Sequence, residues 1–197
     1  MAARGWLRSI LARYAGQAAE RLVFTATTHG RPELAEPAGP APIRFNQSHS
    51  HDLTLIAVTR ARDIGVDIER LRSSVEPLAI ADRFFALGEA AQLRALAPAD
   101  RVPAFFRCWT CKEAFVKAVG QGLAYPLNQF EVRFAPGEPC RLMRVHNSTD
   151  AASRWRLESL VPHPDYAGCL VVAGHDWTLC CWAAEDCVIR DMPNGDV

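Results

Sequence analysis

Between Pro103 and Gly120 the chain runs through residues 104–119 without a proline or a glycine, and Phe105, Phe106, Trp109, Phe115, Val116 and Val119 punctuate that stretch. Such a segment reads as a helix whose surface is largely buried, so the rest of the chain must supply its cover. The same stretch holds Lys112 and Lys117, and these are the only lysines among 22 basic side chains. Arginine supplies the cation everywhere else. The two are not interchangeable where a compact ammonium must meet a phosphate oxygen or where the amine must be tunable. Two lysines five apart, bracketing Glu113, therefore point to chemistry. The plainer alternative is a compositional bias that left two survivors on a solvated helix face.

A chain of 197 residues fits one domain, or two small halves sharing a core. Formal net charge is zero and the pI is about 7.0, so bulk electrostatics make no case for nucleic acid or an anionic membrane. Arg4, Arg8 and Arg13 interrupt the apolar residues of the N-terminus, which excludes a signal-peptide core, and no later stretch reads as a membrane span. Seven scattered cysteines suit a reduced cytoplasm. Cys108-Trp109-Thr110-Cys111 has CxxC spacing, but no second pair follows it, and core thiols one helical turn apart are the simpler reading.

The pattern predicts a short amphipathic helix over 4–14, a strand near Leu22–Ala26, and a loop over 33–42 that is rich in proline and alanine. The polar cluster Asn46-Gln47-Ser48-His49-Ser50 then reads as a loop-to-strand junction. Leu53–Val58 and Ile64–Ile68 read as a hairpin-like pair of strands. Residues 75–97 and 104–119 read as helices, with Pro98 and Pro103 punctuating between them and Gly120 and Gly122 ending the second. Short strands follow at Phe130–Phe134, Arg141–Val145, Trp155–Leu160, Leu170–Ala173 and Leu179–Ala183. The tail 191–197 is polar and expected to be loose. Strands and helices in blocks make this an α+β chain.

Three constellations carry chemistry. Gly65-Val66-Asp67-Ile68-Glu69 places two carboxylates at i and i+2, on one face of a strand, with Val66 and Ile68 turned to the core. Such a pair either meets Arg70 and Arg72 at the surface or holds a hard cation such as Mg²⁺. Glu113 and Lys117 share a helix face, either as an ordinary i,i+4 ion pair or as part of a site with a stronger partner. Ser48, His49 and their neighbours could cradle an anion through hydroxyls, amides and an imidazole, or simply satisfy a turn. His49, His51 and Asp67 could imitate a zinc site, although nothing in their spacing demands it.

Together these residues resemble a known family. Gly65-Val66-Asp67-Ile68-Glu69, followed 46 positions after Asp67 by Glu113 within Trp109-Thr110-Cys111-Lys112-Glu113-Ala114-Phe115-Val116-Lys117, is similar to the two-part signature of the 4′-phosphopantetheinyl transferases. Phe45-Asn46-Gln47-Ser48-His49-Ser50 and Gly30-Arg31-Pro32 resemble further motifs of the larger, Sfp-type branch. So do Arg83-Phe84-Phe85 with Glu89, and Gly120-Gln121-Gly122-Leu123 with Pro126-Leu127. The resemblance runs from about residue 5 to about residue 180.

The resemblance implies two similar α+β halves packed about a pseudo-twofold, 1–64 and 65–190, with 191–197 as a tail and the coenzyme in the groove between the halves. It implies that Asp67, Glu69 and Glu113 hold Mg²⁺ against the pyrophosphate of coenzyme A, with Lys117 neutralising that pyrophosphate and Lys112 nearby. Ser48 and His49 would meet the 3′-phosphate, and Gly30, Arg31 and Pro32 would line the adenine end. The acceptor would be a serine hydroxyl of an apo carrier protein, with 3′,5′-ADP leaving and Glu113 or Glu69 accepting the proton. A cytoplasmic monomer is expected. Sfp-type members usually carry some tens of residues before the helix at 4–14, with basic residues that help hold the 3′-phosphate. This chain starts almost at that helix, so weaker discrimination between coenzyme A and its 3′-dephospho form is expected. Two other readings remain open. A non-catalytic module that binds coenzyme A or a carrier protein would have no need of a metal triad. A Mg²⁺-dependent phosphohydrolase would position a water instead of a bulky acceptor.

Overall fold

The computed structural model describes residues 2–35, 41–122, 125–146 and 148–183. Leu123 and the tail 191–197 lie outside the described residues. The architecture is α+β, as the block pattern of the sequence predicts. Helix α1 (Ala2–Ala15) puts Leu7 and Leu11 against Leu22, Ile43 and Phe45, forming a small core over the strands β1 (Phe24–Ala26), β2 (Pro32–Leu34), β3 (Ile43–Ser50) and β4 (Leu53–Arg60). A larger core surrounds the helix α4 (Pro98–Val119), where Phe105, Phe106, Cys111, Ala114 and Phe115 pack with Phe130, Val132 and Val171.

Among the described residues the strands form four small sheets: β1–β2, β3–β4, a three-stranded sheet ordered β5–β9–β8, and β6–β7. Strand β5 spans Ile64–Arg70, β6 Phe130–Arg133, β7 Arg141–Val145, β8 Trp155–Leu160 and β9 Tyr166–Ala173. All pairings are antiparallel. The expected hairpin between Leu53–Val58 and Ile64–Ile68 does not form. A two-residue turn at His51-Asp52, with His51 at φ 50°, folds β4 straight back onto β3. Strand β5, buried at its first five positions, takes β9 as its ladder partner instead.

Other local differences have local causes. The polar run from Asn46 to Ser50 is strand, not a junction, because its side chains find partners across the fold. The helix expected over 75–97 is two, α2 (Pro77–Phe84) and α3 (Leu87–Ala95). The Glu89 carboxylate accepts from the Ala86 N–H at 2.8 Å and opens a second helix there. Pro98 starts α4 at a position that needs no N–H donor, but Pro103 lies inside the helix rather than before it. A short helix α5 (Thr149–Ala152), capped by the Ser148 hydroxyl accepting from Ala151, was not expected. Leu179–Ala183 forms no strand.

Candidate functional site

Gly65 sets the site's geometry. A Cβ at this position would run into the main-chain oxygen of Ala114 and the nitrogen of Ala118, so only glycine lets β5 lie directly on α4. Two residues further along β5 the Asp67 side chain projects towards α4, whose Lys117 reaches back. Lys117 Nζ donates to Asp67 Oδ1 at 2.7 Å, to Ser48 Oγ at 2.9 Å and to the Val66 carbonyl at 3.2 Å. Ser48 Oγ in turn donates to Asp67 Oδ1 at 2.8 Å. The i,i+4 pair with Glu113 that helix spacing suggests is replaced by this cross-element pair with Asp67, because Gly65 brings the strand within reach.

Glu69 follows on the same face of β5, about one-quarter exposed, accepting from Ser50 Oγ at 2.9 Å. Arg72 approaches it at 3.9 Å from a half-exposed position, a contact of little energetic weight. Glu113 is partly buried, and its carboxyl is pushed above the usual range by burial and then by the negative charges of Asp67 and Glu69, against the pull of Lys117. Asp67 is also raised: burial outweighs the help of Lys117 and Ser48. Its second oxygen, Oδ2, is buried and has no hydrogen-bond partner.

These observations bear on a divalent cation. Three carboxylates share one close ammonium, with only the distant, half-exposed Arg72 beside Glu69, so negative charge exceeds positive charge among groups that burial already strains. The orphaned buried oxygen of Asp67 is free to accept a hard cation. Among the described residues no three His, Cys, Asp or Glu side chains stand in finished metal-binding geometry. With Lys117 seated on Asp67, the donor set fits Mg²⁺ in charge and hardness, and closing on it requires the side chains to shift.

The other expected site residues are placed less uniformly. Lys112 is a correction. It is fully buried on a different side of α4, since five residues of helix turn a side chain by about 140°. Its ammonium pairs with Glu89 at 2.7 Å, donates to the carbonyls of Leu127 and Phe130 at 2.8 and 2.9 Å, and lies 4.1 Å from the Phe130 ring centre. It has no free donor to offer a coenzyme. Ser48 and His49 cannot act together on one phosphate, because strand alternation buries Ser48 in the acidic cluster and exposes His49 on the opposite face. The zinc-like grouping of His49, His51 and Asp67 is dispersed for the same reason. Gly30, at φ 80°, makes the turn into β2. Arg31 donates to the Lys117 and Ala118 carbonyls, each at 3.2 Å, and to the Ile64 carbonyl at 3.0 Å, so its guanidinium caps the end of α4. Burial lowers its pKa. Arg31 and Pro32 also border a small depression with Glu33, Ile43, Arg44 and Phe45. Cys108 and Cys111 are buried core thiols.

Sequence reasoning missed Glu89 as the partner of Lys112, Gly65 as the contact glycine, and the roles of Asn46 and Ser50. The one available signal was the period of two in Asn46, Ser48 and Ser50, which marks a polar strand face.

A strand bearing two acids, laid on a helix bearing Glu113 and Lys117, brings three carboxylates and an ammonium together in one cluster. Residues 63–178 match the model of the 4′-phosphopantetheinyl transferase superfamily, and the chain belongs to that superfamily. It is 39% identical over 176 residues to the 4′-phosphopantetheinyl transferase HetI of Nostoc sp., covering 89% of this chain and 71% of the relative. A 4′-phosphopantetheinyl transferase of Bacillus subtilis is 32% identical over 171 residues, 81% of this chain and 72% of the relative. The Sfp enzyme of Bacillus subtilis is 32% identical over 127 residues, 64% of this chain and 54% of that relative. The chain thus spans from about half to about seven-tenths of these relatives' lengths. Among the described residues no helix is long and apolar enough to cross a membrane.

Proposed function

We propose that this protein transfers the 4′-phosphopantetheine group of coenzyme A to a serine hydroxyl of an apo carrier protein. The observation that carries the reading is the meeting of Lys117, Asp67 and Ser48 within 2.9 Å of one another, beside Glu69 and Glu113. In the reaction a bond forms between the acceptor serine oxygen and the β-phosphorus of coenzyme A, and the bond from that phosphorus to the oxygen of 3′,5′-ADP breaks. Such transfers need positioning and charge neutralisation more than covalent chemistry.

Lys117 supplies an ammonium on a stem long enough to leave Asp67 and meet a pyrophosphate oxygen. Glu113 or Glu69, the two carboxylates that flank this meeting point, would accept the serine proton. Asp67, Glu69 and Glu113 would hold Mg²⁺, which when bound supplies positive charge to the pyrophosphate and the leaving group. Gly30, Arg31 and Pro32 would line the adenine end, and exposed His49 would meet the 3′-phosphate while Ser48 stays with the pyrophosphate. The chain divides near residue 64 into an N-terminal part for the adenine side and a C-terminal part for the metal. Two apolar clusters lie on either side of that division, and a third, in which Leu55 and Ala57 pack against Ile64, Val66, Leu170 and Val172, joins them. A monomer suffices, because β3, β5 and α4 of one chain complete the cluster. The free buried thiols of Cys108, Cys111, Cys140 and Cys169 suit a reducing compartment such as the cytoplasm.

Incubation with coenzyme A, Mg²⁺ and a panel of apo carrier proteins, read by intact mass, tests the reading. A phosphopantetheine adduct that needs the metal is expected. Coenzyme A binding with no adduct on any carrier would support the binding module instead, and phosphate release without a carrier would support a hydrolase.

A further inference from the structure

Strands β3 and β5 belong to different sheets, and no backbone ladder joins them. They are nevertheless stitched together by side chains from alternate positions of β3. Asn46 Oδ1 accepts from the Val66 N–H at 2.9 Å, Ser48 Oγ donates to Asp67 Oδ1 at 2.8 Å, Ser50 Oγ donates to Glu69 Oε2 at 2.9 Å, and the same Ser50 oxygen accepts from the Arg70 N–H at 3.1 Å. The partners are separated by 20, 19, 19 and 20 residues, so the two strands run side by side in the same direction. Val66 and Arg70 lie on a strand whose ladder partner is β9, and side chains from β3 satisfy their N–H groups.

This stitching does more than close an edge. Each of the two acids of β5 is gripped by one serine, and the strand is pinned by main-chain bonds at residues 66 and 70, one on either side of the acids. We propose that Ser50 and Asn46 are positioning residues that fix where Glu69 and Asp67 stand for a divalent cation, resting on the functional reading above. Ser50 acts directly. It is buried, and its one hydroxyl orients the Glu69 carboxylate and fixes the main chain after it. Asn46 acts one step back, by holding Val66 and hence the height of β5 against α4. Such outer partners of metal-holding carboxylates typically change metal affinity by about 10–100-fold when removed.

The test uses Mn²⁺ as a spectroscopic probe on the full chain without coenzyme A or carrier, followed by the Mg²⁺ dependence of transfer. Ser50→Ala should weaken Mn²⁺ binding, read by the free-ion electron paramagnetic resonance signal, by about tenfold. It should raise the half-saturating Mg²⁺ concentration of transfer in parallel, while kcat at saturating metal changes far less. Ser50→Thr, which keeps the hydroxyl, should restore both to near wild type. Asn46→Ala should weaken Mn²⁺ binding less than Ser50→Ala does. Unchanged Mn²⁺ affinity in Ser50→Ala overturns the proposal, and so does a loss that Ser50→Thr fails to repair. A fall in melting temperature and kcat with Mn²⁺ affinity intact marks a merely structural role and also overturns it. If Ser50→Ala fails to fold, Ser50→Cys, of similar size but a weaker hydrogen-bonding group, takes its place under the same criteria. Failure of the functional reading looks different: wild type would bind Mn²⁺, with Ser50→Ala binding it less, yet no carrier would be modified.

Discussion

Lys112 and Lys117 sit five residues apart on one helix and live in opposite worlds. Lys112 is sealed: its ammonium, the Glu89 carboxylate and four main-chain groups close a network with no exposed member. The network ties α3, α4 and β6 into one body. Lys117 is open: its side chain is about one-quarter exposed, Asp67 beside it keeps an unpartnered oxygen, and two more carboxylates crowd near. A satisfied buried network specifies structure, whereas an unsatisfied one at a surface has capacity left for a ligand. Identical residue types on adjacent turns can thus serve folding in one case and chemistry in the other, and the deciding variable is whether every donor and acceptor is already used.

Breaking the sealed network should give the largest effect. Lys112→Ala leaves the Glu89 carboxylate in the core without its counter-charge, so a loss of about 3–5 kcal/mol is expected in denaturant melts. The double variant Lys112→Met/Glu89→Leu should recover only part of that loss, because it removes both charges together but leaves the main-chain groups of Ala86, Leu127, Phe130 and Val132 without their partners. A Lys112→Ala variant with normal stability would show that the network is not closed.

On the open side the order reverses, with activity lost and the fold kept. Glu113→Ala should lower turnover by on the order of 10²-fold, as expected when one charge of a phosphate-handling clamp is removed. Melting should change little. Turnover near wild type at limiting Mg²⁺ would remove Glu113 from the site. Lys117→Arg should fold and yet lose about tenfold or more in kcat, since a planar guanidinium cannot reproduce the three ammonium contacts. Wild-type kinetics in this variant would make the pair with Asp67 a structural ion pair like that of Lys112.

The smallest effect concerns pH. Burial and like charges hold the folded pKa of Glu113 above its unfolded value, so the folded state binds the proton more tightly. The stability this gives is full below the unfolded value of about 4.3 and is lost as pH rises through the folded value. Glu113→Gln should therefore melt slightly higher than wild type at pH 7, by at most about 1 kcal/mol or roughly 2–4 °C, with the gap closing towards pH 4. Equal melts at pH 7 would show that the acids do not strain one another.

The sequence by itself carried the α+β class, most elements, the pair of acids on one strand face and the helix bearing Glu113 and Lys117. Those features are written in local periods of 2.0 and 3.6, which survive without knowledge of neighbours. Lys117 was legible because residue type and helix face suffice to nominate it. Lys112 was not, because its fate depends on Glu89, 23 positions away, and on carbonyls beyond the helix. Only the tertiary structure decided that β5 leaves β4 for β9, that Asn46, Ser48 and Ser50 stitch β3 to β5, and that Gly65 admits α4 to contact distance. Strand choice, cross-element hydrogen bonds and close approach of backbones are settled by which surfaces meet, and no local period encodes that meeting.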